Sequence, residues 1–268
     1  MINDLKEKAV IITGGTKGIG LAIGLQFAKQ GAHVYLTHRW SSADEQEVID
    51  SFSKWDARKP TIIEADVSVD EETQALLTRV KEEHESVEAF ISNVCVVQPA
   101  NGVMSYRKRS LQKSLEYSAW PLVGYLQQIK KTFGKVPRYV VGISSDGSDN
   151  YFTHYEYVAS SKAMMDVLCR YLTYTLRDED FRINIVKSRN VLTDAVEEIF
   201  GAEYVDFMRE RAGEEYFIYP QEIGKVALAL CSGLLDSMKG QIIQVDKGMS
   251  FADTMMKQLE KKEAELSQ

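Results

Sequence analysis

Short apolar runs alternate with longer amphipathic segments along most of this chain. The first run is Ala9–Ile12, and further runs lie at 33–37, 61–65, 87–92, 139–143, 182–186 and 241–245. Between them, apolar residues recur at helical spacing at about 43–55, 70–84, 110–133 and 155–177, and in an earlier segment that Gly31 would end. Strands that alternate with single helices form right-handed crossovers, which produce a parallel sheet covered on both faces. The pattern therefore predicts an α/β protein.

The chain is predicted to form one domain with a short tail. Its 268 residues contain no internal repeat, no low-complexity stretch and only five prolines, so no linker is predicted. We place the domain at 1–254. Residues 255–268 are a candidate amphipathic helix, in which Met256, Leu259 and Leu266 stand at helical spacing. We expect this tail to be solvated or to dock on a neighbouring subunit.

Composition and charge exclude several classes of protein. Hydrophobic residues make up 44% of the chain and charged residues 26%, which excludes a disordered or fibrous protein. The net charge of −7 argues against a dedicated nucleic-acid binder, which needs a surplus of basic residues. No run approaches the ~18 apolar residues of a membrane span, and the first residues lack the layout of a signal peptide. We therefore expect neither a membrane nor a nucleic-acid partner.

The cysteines and histidines show neither a disulfide framework nor a ligand spacing. Cys95, Cys169 and Cys231 are odd in number and scattered, which is typical of a reducing compartment. The histidines, at positions 33, 38, 84 and 154, show no ligand spacing with one another or with the cysteines. These residues predict a cytoplasmic protein without a metal site.

A glycine-rich turn follows the first predicted strand and opens the first predicted helix. It reads Thr-Gly-Gly-Thr-Lys-Gly-Ile-Gly at 13–20. Glycines permit a tight turn, backbone N–H groups can reach a pyrophosphate, and the helix N-terminus adds its positive dipole end. The strand–turn–helix context distinguishes a dinucleotide site from a merely tight turn. The candidate cofactor-binding residues here are Gly14, Thr16, Lys17, Gly18, Ile19 and Gly20.

The end of the second predicted strand indicates which dinucleotide is bound. An acidic residue there would hydrogen-bond the ribose hydroxyls of NAD and repel a 2′-phosphate. This chain has Arg39 instead, and Lys17 lies in the glycine-rich turn, so two cations favour NADP(H) over NAD(H). After the third strand, Asp66 and Val67 offer a carboxylate and a backbone amide to the adenine edge. Asn93, after the fourth strand, is expected beside the adenine ribose.

These motifs together resemble the short-chain dehydrogenase/reductase superfamily. The resemblance rests on the glycine-rich turn, Ala-Asp-Val at 65–67, Ser-Asn at 92–93, a later Ser–Tyr–Lys region and a Gly-Gln…Val-Asp-Lys-Gly segment at 240–248. It covers about residues 5–250. It implies a single Rossmann-type domain with a doubly wound, seven-stranded parallel sheet, assembled as a homodimer or homotetramer. It also implies a substrate loop at about 193–220, with Thr193 contacting the nicotinamide carboxamide.

The catalytic region departs from the Tyr-x-x-x-Lys pattern that most of the superfamily carries. Lys162 is present and Ser145 fills the serine position, but Val158 stands where the tyrosine is expected and cannot transfer a proton. At ~100° per residue, Tyr155 lies two turns before Lys162 and within ~20° of the same helix face. This Tyr-x(6)-Lys spacing resembles the NADPH-dependent branch of the enoyl-[acyl-carrier-protein] reductases. It implies reduction of the carbon–carbon double bond of an enoyl thioester or a related α,β-unsaturated carbonyl.

Conjugate reduction gives a physical reason for the shifted tyrosine. Hydride reaches the β-carbon, so negative charge develops on the distant thioester oxygen, and its stabiliser must stand further from nicotinamide C4. Tyr155 would hydrogen-bond this enolate oxygen, while Lys162 would hold the nicotinamide ribose and add positive charge. Ser145 and Ser118 are expected as secondary hydrogen-bonding groups.

Other departures from the superfamily pattern leave two alternative functions open. Ser118 replaces an asparagine of the long helix, and Ser188-Arg189 replaces the Pro-Gly after the sixth strand. Arg189 would either attract a phosphate or carboxylate near the nicotinamide or simply face outward. The first alternative is a carbonyl reductase or alcohol dehydrogenase of specialised (polyketide-like or antibiotic) metabolism. The second is a catalytically silent nucleotide-binding scaffold.

Two further sets of residues suggest how an acyl substrate would be held. Aromatic and apolar residues of the substrate loop can line an acyl pocket, although we expect about half of them in the core. They are Ile199, Phe200, Tyr204, Phe207, Tyr216, Phe217 and Tyr219. An acyl carrier protein is acidic and would require basic residues at the pocket mouth. The candidates are Arg107, Lys108, Arg109 and Lys113.

Overall fold

Seven parallel strands form the centre of the computed structural model, which describes residues 4–40, 42–194, 196 and 200–266. In chain order the strands are Ala9–Ile12 (β1), His33–His38 (β2), Thr61–Glu64 (β3), Val87–Ser92 (β4), Tyr139–Ser145 (β5), Arg182–Ser188 (β6) and Ile242–Val245 (β7). Their spatial order is β3-β2-β1-β4-β5-β6-β7, with every neighbouring pair parallel. The predicted seven-stranded Rossmann-type sheet is therefore confirmed.

The helices of the described part of the chain follow the predicted alternation. They are Gly18–Lys29 (α1), Glu45–Lys54 (α2), Asp70–Lys81 (α3), Lys108–Ser118 (α4), Pro121–Phe133 (α5), Glu156–Thr175 (α6), Ala202–Ala212 (α7), Pro220–Leu230 (α8) and Thr254–Leu266 (α9). The tail expected to be helical is α9. No helix in the described ranges is both long enough and apolar enough to span a membrane.

Two apolar cores enclose the sheet, one on each face. Because side chains alternate across a strand, Val10 and Ile12 enter one core while Ala9 and Ile11 enter the other. The first core adds apolar residues from α1, α2 and α8, and the second adds residues from α3, α5 and α6. Helices thus cover both faces and leave the carboxyl ends of the strands as the accessible edge.

The long helix predicted at about 110–133 is two helices, and Pro121 is the reason. Proline has no N–H and crowds the preceding turn, so it is tolerated at the first position of a helix and not in its interior. Here Pro121 begins α5, while Trp120 N bonds to Leu115 O at 2.9 Å and closes α4. Ser118 therefore lies at the end of α4, and not in the middle of one long helix.

Candidate active site

A cavity of about 190 Å³ opens at the carboxyl edge of the sheet, where β1 and β4 lie side by side. The chain leaves this point in opposite directions, toward β3 and toward β7, and ligands of doubly wound proteins bind at such a reversal. The lining comes from α1, from the segments that follow β4, β5 and β6, and from α6. It consists of Ile19, Asn93, Cys95, Val97, Ile143, Ser144, Ser145, Asp146, Phe152, Tyr155, Lys162, Ser188, Asn190, Val191, Thr193, Val196 and Phe200.

The glycine-rich turn has the geometry that a pyrophosphate needs. Gly14 and Gly18 have φ of +60° and +55°, and a Cβ on Gly20 would lie 2.2 Å from Gly14 O. Helix α1 starts at Gly18 with no acidic residue in its first turn, and Lys17 makes no side-chain cap. The first N–H groups of a helix have no acceptor within it, so this end suits an anion. The turn therefore fits a dinucleotide.

Asn93 supports this turn from the neighbouring strand. Its Nδ2 donates to Thr13 O at 3.0 Å and to Gly14 O at 3.1 Å, and its backbone N donates to Thr13 Oγ1 at 3.0 Å. The sequence predicts that Asn93 meets the adenine ribose. In the structure its side-chain amide nitrogen donates to two backbone carbonyls of the turn. Asn93 therefore contributes to the cofactor site by holding the backbone of the turn in place.

Arg39, the predicted selector of the 2′-phosphate, lies among aromatic rings and beside a carboxylate. Its Cζ is 3.8 Å from the ring centre of Trp40 and 4.5 Å from that of Tyr117, and its Nη1 is 3.6 Å from Asp66 Oδ2. Burial opposes ionisation of Asp66, but hydrogen bonds from Ser68 and Tyr117 hold the pKa of this carboxyl below its usual value. Arg39 thus follows β2 with a counter-charge already nearby.

Ser145, Tyr155 and Lys162 meet at the cavity, as the spacing predicts. Ser145 ends β5, Tyr155 directly precedes α6, and the Ser145 side chain lies close enough to the phenol to lower its pKa against the effect of burial. Burial raises the pKa of the Tyr155 phenol well above its ordinary value, so the hydroxyl stays protonated. Lys162 Nζ donates to Ile143 O at 2.8 Å. Val158, at the superfamily's usual tyrosine position, is fully buried.

Tyr155 is held between a glycine and a group of aromatic rings. A Cβ on Gly147 would lie 2.6 Å from Tyr155 Cε1, so the ring packs directly on the backbone there. The ring centres of Phe152 and Phe200 lie 5.8 and 6.2 Å from that of Tyr155, and Tyr204 stacks on Phe200 at 4.7 Å. Packing on several sides fixes where the phenol points.

A buried acid, Asp146, is the main site residue that sequence reasoning missed. It follows Ser145, lines the cavity and is 1% exposed. Burial raises its pKa to about 6, against the Arg189 cation whose Nε lies 2.8 Å from Asp146 Oδ2. Arg189 also lies over the ring of Phe152, with 5.6 Å from its Cζ to the ring centre. Arg189 therefore does not simply face outward, and any phosphate or carboxylate near the nicotinamide would have to share its charge with Asp146. The sequence does contain a signal for Asp146, because an acidic residue stands directly after the carboxyl end of a predicted strand.

Some of the remaining predicted site residues line the cavity, and the others are buried elsewhere in the protein. Thr193 and Ile19 line the cavity, and a Cβ on Gly18 would be 3.6 Å from the Thr193 methyl group. Ser118 is fully buried, and its Oγ accepts a hydrogen bond from Val96 N at 3.3 Å, so it supports the segment after β4. Thr16 and Val67 are buried at the turn and after β3.

The loop and surface residues predicted to hold an acyl substrate lie partly at the cavity, partly in the core and partly on the surface. Of the apolar set, Phe200 lines the cavity, Phe217 is fully buried in the protein, and Phe207 is exposed. Ile199 lies outside the described residues. The basic residues 107–109 are exposed at the start of α4.

Two of the histidines that showed no ligand spacing are neighbours in space. His84 Nε2 lies 3.1 Å from His33 Nδ1, and His33 Nε2 lies 2.8 Å from Thr61 Oγ1. Glu83 Oε2 is 3.4 Å from His33 Nδ1. This group lies at the amino-terminal edge of the sheet, away from the cavity, at the start of β2 and just after α3.

The fold and this site together define a short-chain dehydrogenase/reductase. Residues 14–250 match the family model described as "Enoyl-(Acyl carrier protein) reductase". The chain belongs to this family, a group of oxidoreductases that bind a nicotinamide cofactor.

Relatives at low identity carry more than one activity in their names. The chain is 26% identical over 257 residues to short-chain dehydrogenase/reductase FrzI of Cladobotryum sp, covering 91% of this chain and 96% of that protein. It is 22% identical over 254 residues to enoyl-[acyl-carrier-protein] reductase [NADH] FabI of Aquifex aeolicus (strain VF5), covering 91% and 92%. It is 26% identical over 247 residues to 7alpha-hydroxysteroid dehydrogenase of Escherichia coli (strain K12), covering 91% and 94%.

Solved structures agree with the fold. A 7 alpha-hydroxysteroid dehydrogenase complexed with NADH and 7-oxo glycochenodeoxycholic acid superposes with a TM-score of 0.80 at 25% identity, covering 92% of this chain and 98% of that one. The Aquifex aeolicus VF5 enoyl-[acyl-carrier-protein] reductase (NADH) gives 0.75 at 19% identity, covering 93% and 99%, which supports the fold alone.

Proposed function

We propose that this protein uses NADP(H) to reduce the carbon–carbon double bond of an enoyl thioester or a related α,β-unsaturated carbonyl. The observation that carries the proposal is that Tyr155 brings its phenol to the cavity beside Ser145, whereas position 158 offers only a buried valine. The family description and the FabI relative support the same reaction.

Each residue of this group has a distinct role in the proposed reaction. A bound nicotinamide supplies the hydride. Tyr155 donates a hydrogen bond to the substrate carbonyl oxygen as it gains negative charge, and the Ser145 hydroxyl supports the phenol. Lys162 contributes a cation at the cavity wall, where Ile143 O fixes its position. The aromatic rings around Tyr155 make its surroundings less polar, which strengthens these electrostatic interactions.

The choice of NADP(H) rests on two cations at the adenosine end. Lys17 is exposed in the glycine-rich turn, and Arg39 follows β2, where an acidic residue would favour NAD. Asp66 acts against the proposal because it lies 3.6 Å from Arg39 Nη1. The 2′-phosphate would have to compete with this carboxylate for the guanidinium. The ratio of kcat/KM for NADPH over NADH decides the question.

The reaction is tested by following NADPH oxidation with crotonyl and longer trans-2-enoyl thioesters. We expect turnover by the wild type and a loss of at least 100-fold in Tyr155→Phe, with cofactor binding retained. Tyr151→Phe is the matched control, because Tyr151 is 81% exposed and close in sequence. Wild-type rates in Tyr155→Phe would contradict the role assigned to Tyr155. Cofactor binding without turnover of any substrate would instead favour the silent scaffold.

Carbonyl reduction is the second candidate, and one observation favours it. The relatives include a 7alpha-hydroxysteroid dehydrogenase, and the similar solved structures include a 7 alpha-hydroxysteroid dehydrogenase complexed with NADH and 7-oxo glycochenodeoxycholic acid. In this case Tyr155 would donate its proton to the ketone oxygen. Turnover of ketones without turnover of enoyl compounds identifies this alternative.

We also propose that substrate loop 193–220 closes one side of the cavity, and that the protein assembles as a homodimer or homotetramer. Thr193, Val196 and Phe200 line the cavity, which supports the first proposal. Exposed apolar side chains on α6, including Met164 and Val167, support the second. Light scattering of the wild type and of Val167→Glu tests it, since a buried charge would favour the monomer.

An acyl-carrier-protein partner and a cytoplasmic location remain proposals. The exposed basic residues Arg107, Lys108 and Arg109 support the former, and the three cysteines, all free thiols, support the latter. Replacing the three basic residues with alanine should raise KM for carrier-protein thioesters and leave KM for small thioesters unchanged. Equal KM values for both substrate types in wild type and variant would contradict a carrier-protein site.

A further inference from the structure

We propose that Asp146 is the recognition point in the cavity for a hydrogen-bond donor on the substrate, either a hydroxyl or an amine group. The inference rests on the proposed function and narrows its substrate: the acyl portion carries a polar donor and is not a plain alkyl chain. Asp146 would select the substrate, whereas Tyr155 and Ser145 serve the reaction.

The first observation is that one oxygen of a buried carboxyl group has no partner. Asp146 is 1% exposed, and within the described part of the chain its Oδ1 has no hydrogen-bond partner. Its Oδ2 lies 2.8 Å from Arg189 Nε and 3.5 Å from Asn150 Nδ2. Buried polar atoms are normally paired, because an unmade hydrogen bond costs more than a formed one contributes. Because Asp146 lines the cavity, a ligand whose donor reaches Oδ1 would supply the missing hydrogen bond.

The second observation is that Asp146 lies between the two residues that position Tyr155. Ser145 lies close to the phenol and affects its pKa, and Gly147 packs against the ring. A substrate oxygen held by Tyr155 therefore leaves the rest of the molecule close to Asp146. The donor would stand only a few bonds from the reacting carbonyl.

The surrounding charges leave Asp146 available for such a contact. Lys187, the other nearby cation, is shared by Asp149 and Asp166, at 2.6 Å from each. Asp246 accepts hydrogen bonds from Gly248 N and Ser250 N. Arg189 thus remains the counter-charge of Asp146, and its Nε lies 2.8 Å from the second oxygen, Oδ2.

We expect the unpaired oxygen of Asp146 to discriminate between substrates that carry a hydrogen-bond donor and substrates that lack one. A site that offers a buried hydrogen-bonding group rejects an analogue that lacks the complementary donor, because the group is left unpaired in that complex. Fully built sites of this kind discriminate by about 10⁴-fold. For a single oxygen in a cavity that also admits water, we expect a preference of at least about tenfold.

The probes are N-acetylcysteamine thioesters of trans-2-hexenoic acid and of its 4-, 5- and 6-hydroxy derivatives. In the wild type, kcat/KM for at least one hydroxy derivative should exceed that for hexenoyl by tenfold or more. Asp146→Leu should reduce this ratio to about one. Asp146→Asn keeps an acceptor oxygen and should keep part of the preference. Asp149→Asn is the matched control, because it changes a neighbouring acid that pairs with Lys187.

Binding measurements separate this proposal from the reaction itself. Calorimetric titration of the NADP⁺-saturated protein with the saturated hexanoyl and hydroxyhexanoyl thioesters reports affinity without turnover. If no enoyl substrate is reduced, the proposed reaction fails, while a tenfold affinity difference that Asp146→Leu removes still supports the recognition point. Equal affinities and equal kcat/KM values for the matched pairs in the wild type would overturn it. A preference that survives in Asp146→Leu would overturn it as well.

Discussion

Tyr155 packs against Gly147 so closely that the smallest side chain would not fit between them. The carbon that alanine adds at position 147 would lie 2.6 Å from Tyr155 Cε1 and 2.7 Å from Cδ1. Contacts below 3.0 Å between such atoms force one of them to move. The position of the phenol in the cavity therefore depends on the absence of a side chain at residue 147.

Gly147→Ala should reduce kcat through displacement of Tyr155. We expect at least a tenfold decrease in kcat, unchanged affinity for the cofactor, and a destabilisation of about 1–3 kcal/mol from overpacking. Steady-state kinetics, cofactor fluorescence and urea unfolding measure the three quantities. Tyr151→Ala, which changes an exposed residue of the same segment, should leave all three at the wild-type level. A fully active Gly147→Ala enzyme would show that the phenol position is not decisive.

Ionisation of Asp146 should make the protein less stable above pH 6. Burial raises its pKa in the folded protein from the usual 3.8 to about 6, so the folded state binds the proton more tightly than the unfolded chain does. Stability from this group is present at low pH and is lost as the pH rises through about 6, at a cost of about 3 kcal/mol when fully ionised. Arg189 and Lys187 lower this cost, and Asp149 and Asp246 increase it.

Asp146→Asn removes this titration. We expect its free energy of unfolding to exceed that of the wild type by about 1–3 kcal/mol at pH 8 and to match it near pH 4. Urea denaturation at the two pH values measures the difference. Asp149→Asn serves as the control, since Asp149 is exposed and pairs with Lys187. A difference that does not change between pH 4 and pH 8 would contradict the raised pKa.

The paired histidines should have the opposite effect on stability. Burial, followed by the charge of Arg58, lowers the pKa of His33, and burial also lowers that of His84, against the raising effect of Glu83. Both imidazoles are therefore protonated more easily in the unfolded chain. The contribution of the two imidazoles to the free energy of unfolding is fully present above pH 6.5 and is lost as the pH falls below that value.

His84→Gln should weaken this acid sensitivity. Glutamine keeps a hydrogen-bonding group for His33 Nδ1, which His84 contacts at 3.1 Å, and it does not titrate. We expect the loss of unfolding free energy between pH 7 and pH 5 to be smaller in the variant than in the wild type. Equal losses in both proteins would show that the pair does not titrate on unfolding. His154→Gln is the comparison, since His154 lies outside the pair and contacts Ala100 O.

Arg39→Gln tests the selection of the cofactor. Losing the guanidinium removes the charge that would meet a 2′-phosphate, so kcat/KM for NADPH should fall at least tenfold while that for NADH changes little. Lys54→Gln, a change to a basic residue on the surface of α2, should leave the ratio unchanged. A wild type that prefers NADH, or an unchanged ratio in Arg39→Gln, would contradict the NADP(H) proposal.

Local patterns predicted most of the fold and the positions of the main site residues. Strand and helix periods are local properties, so the seven strands appear within two residues of their expected bounds. The spacing of Tyr155 and Lys162 is also local, because Tyr155 directly precedes the helix that carries Lys162. Proline chemistry is local too, and the break before Pro121 was predictable from the sequence even though the long helix was expected to continue.

Contacts between distant segments were not predictable in this way. Asp146 and Arg189 meet because β5 and β6 are neighbours, and no spacing along the chain indicates that their side chains pair. His33 and His84 come together because the start of β2 lies beside the end of α3. Arg39 was expected to be available for a phosphate, and its approach to Asp66 depends on the pairing of β2 with β3.

Asn93 joins two parts of the site. Its side chain holds the carbonyls of Thr13 and Gly14 in the dinucleotide turn, and the same residue forms part of the wall of the cavity. A substitution at position 93 would therefore disturb the turn and the cavity wall together, so its effects on the two halves of the site would not be independent.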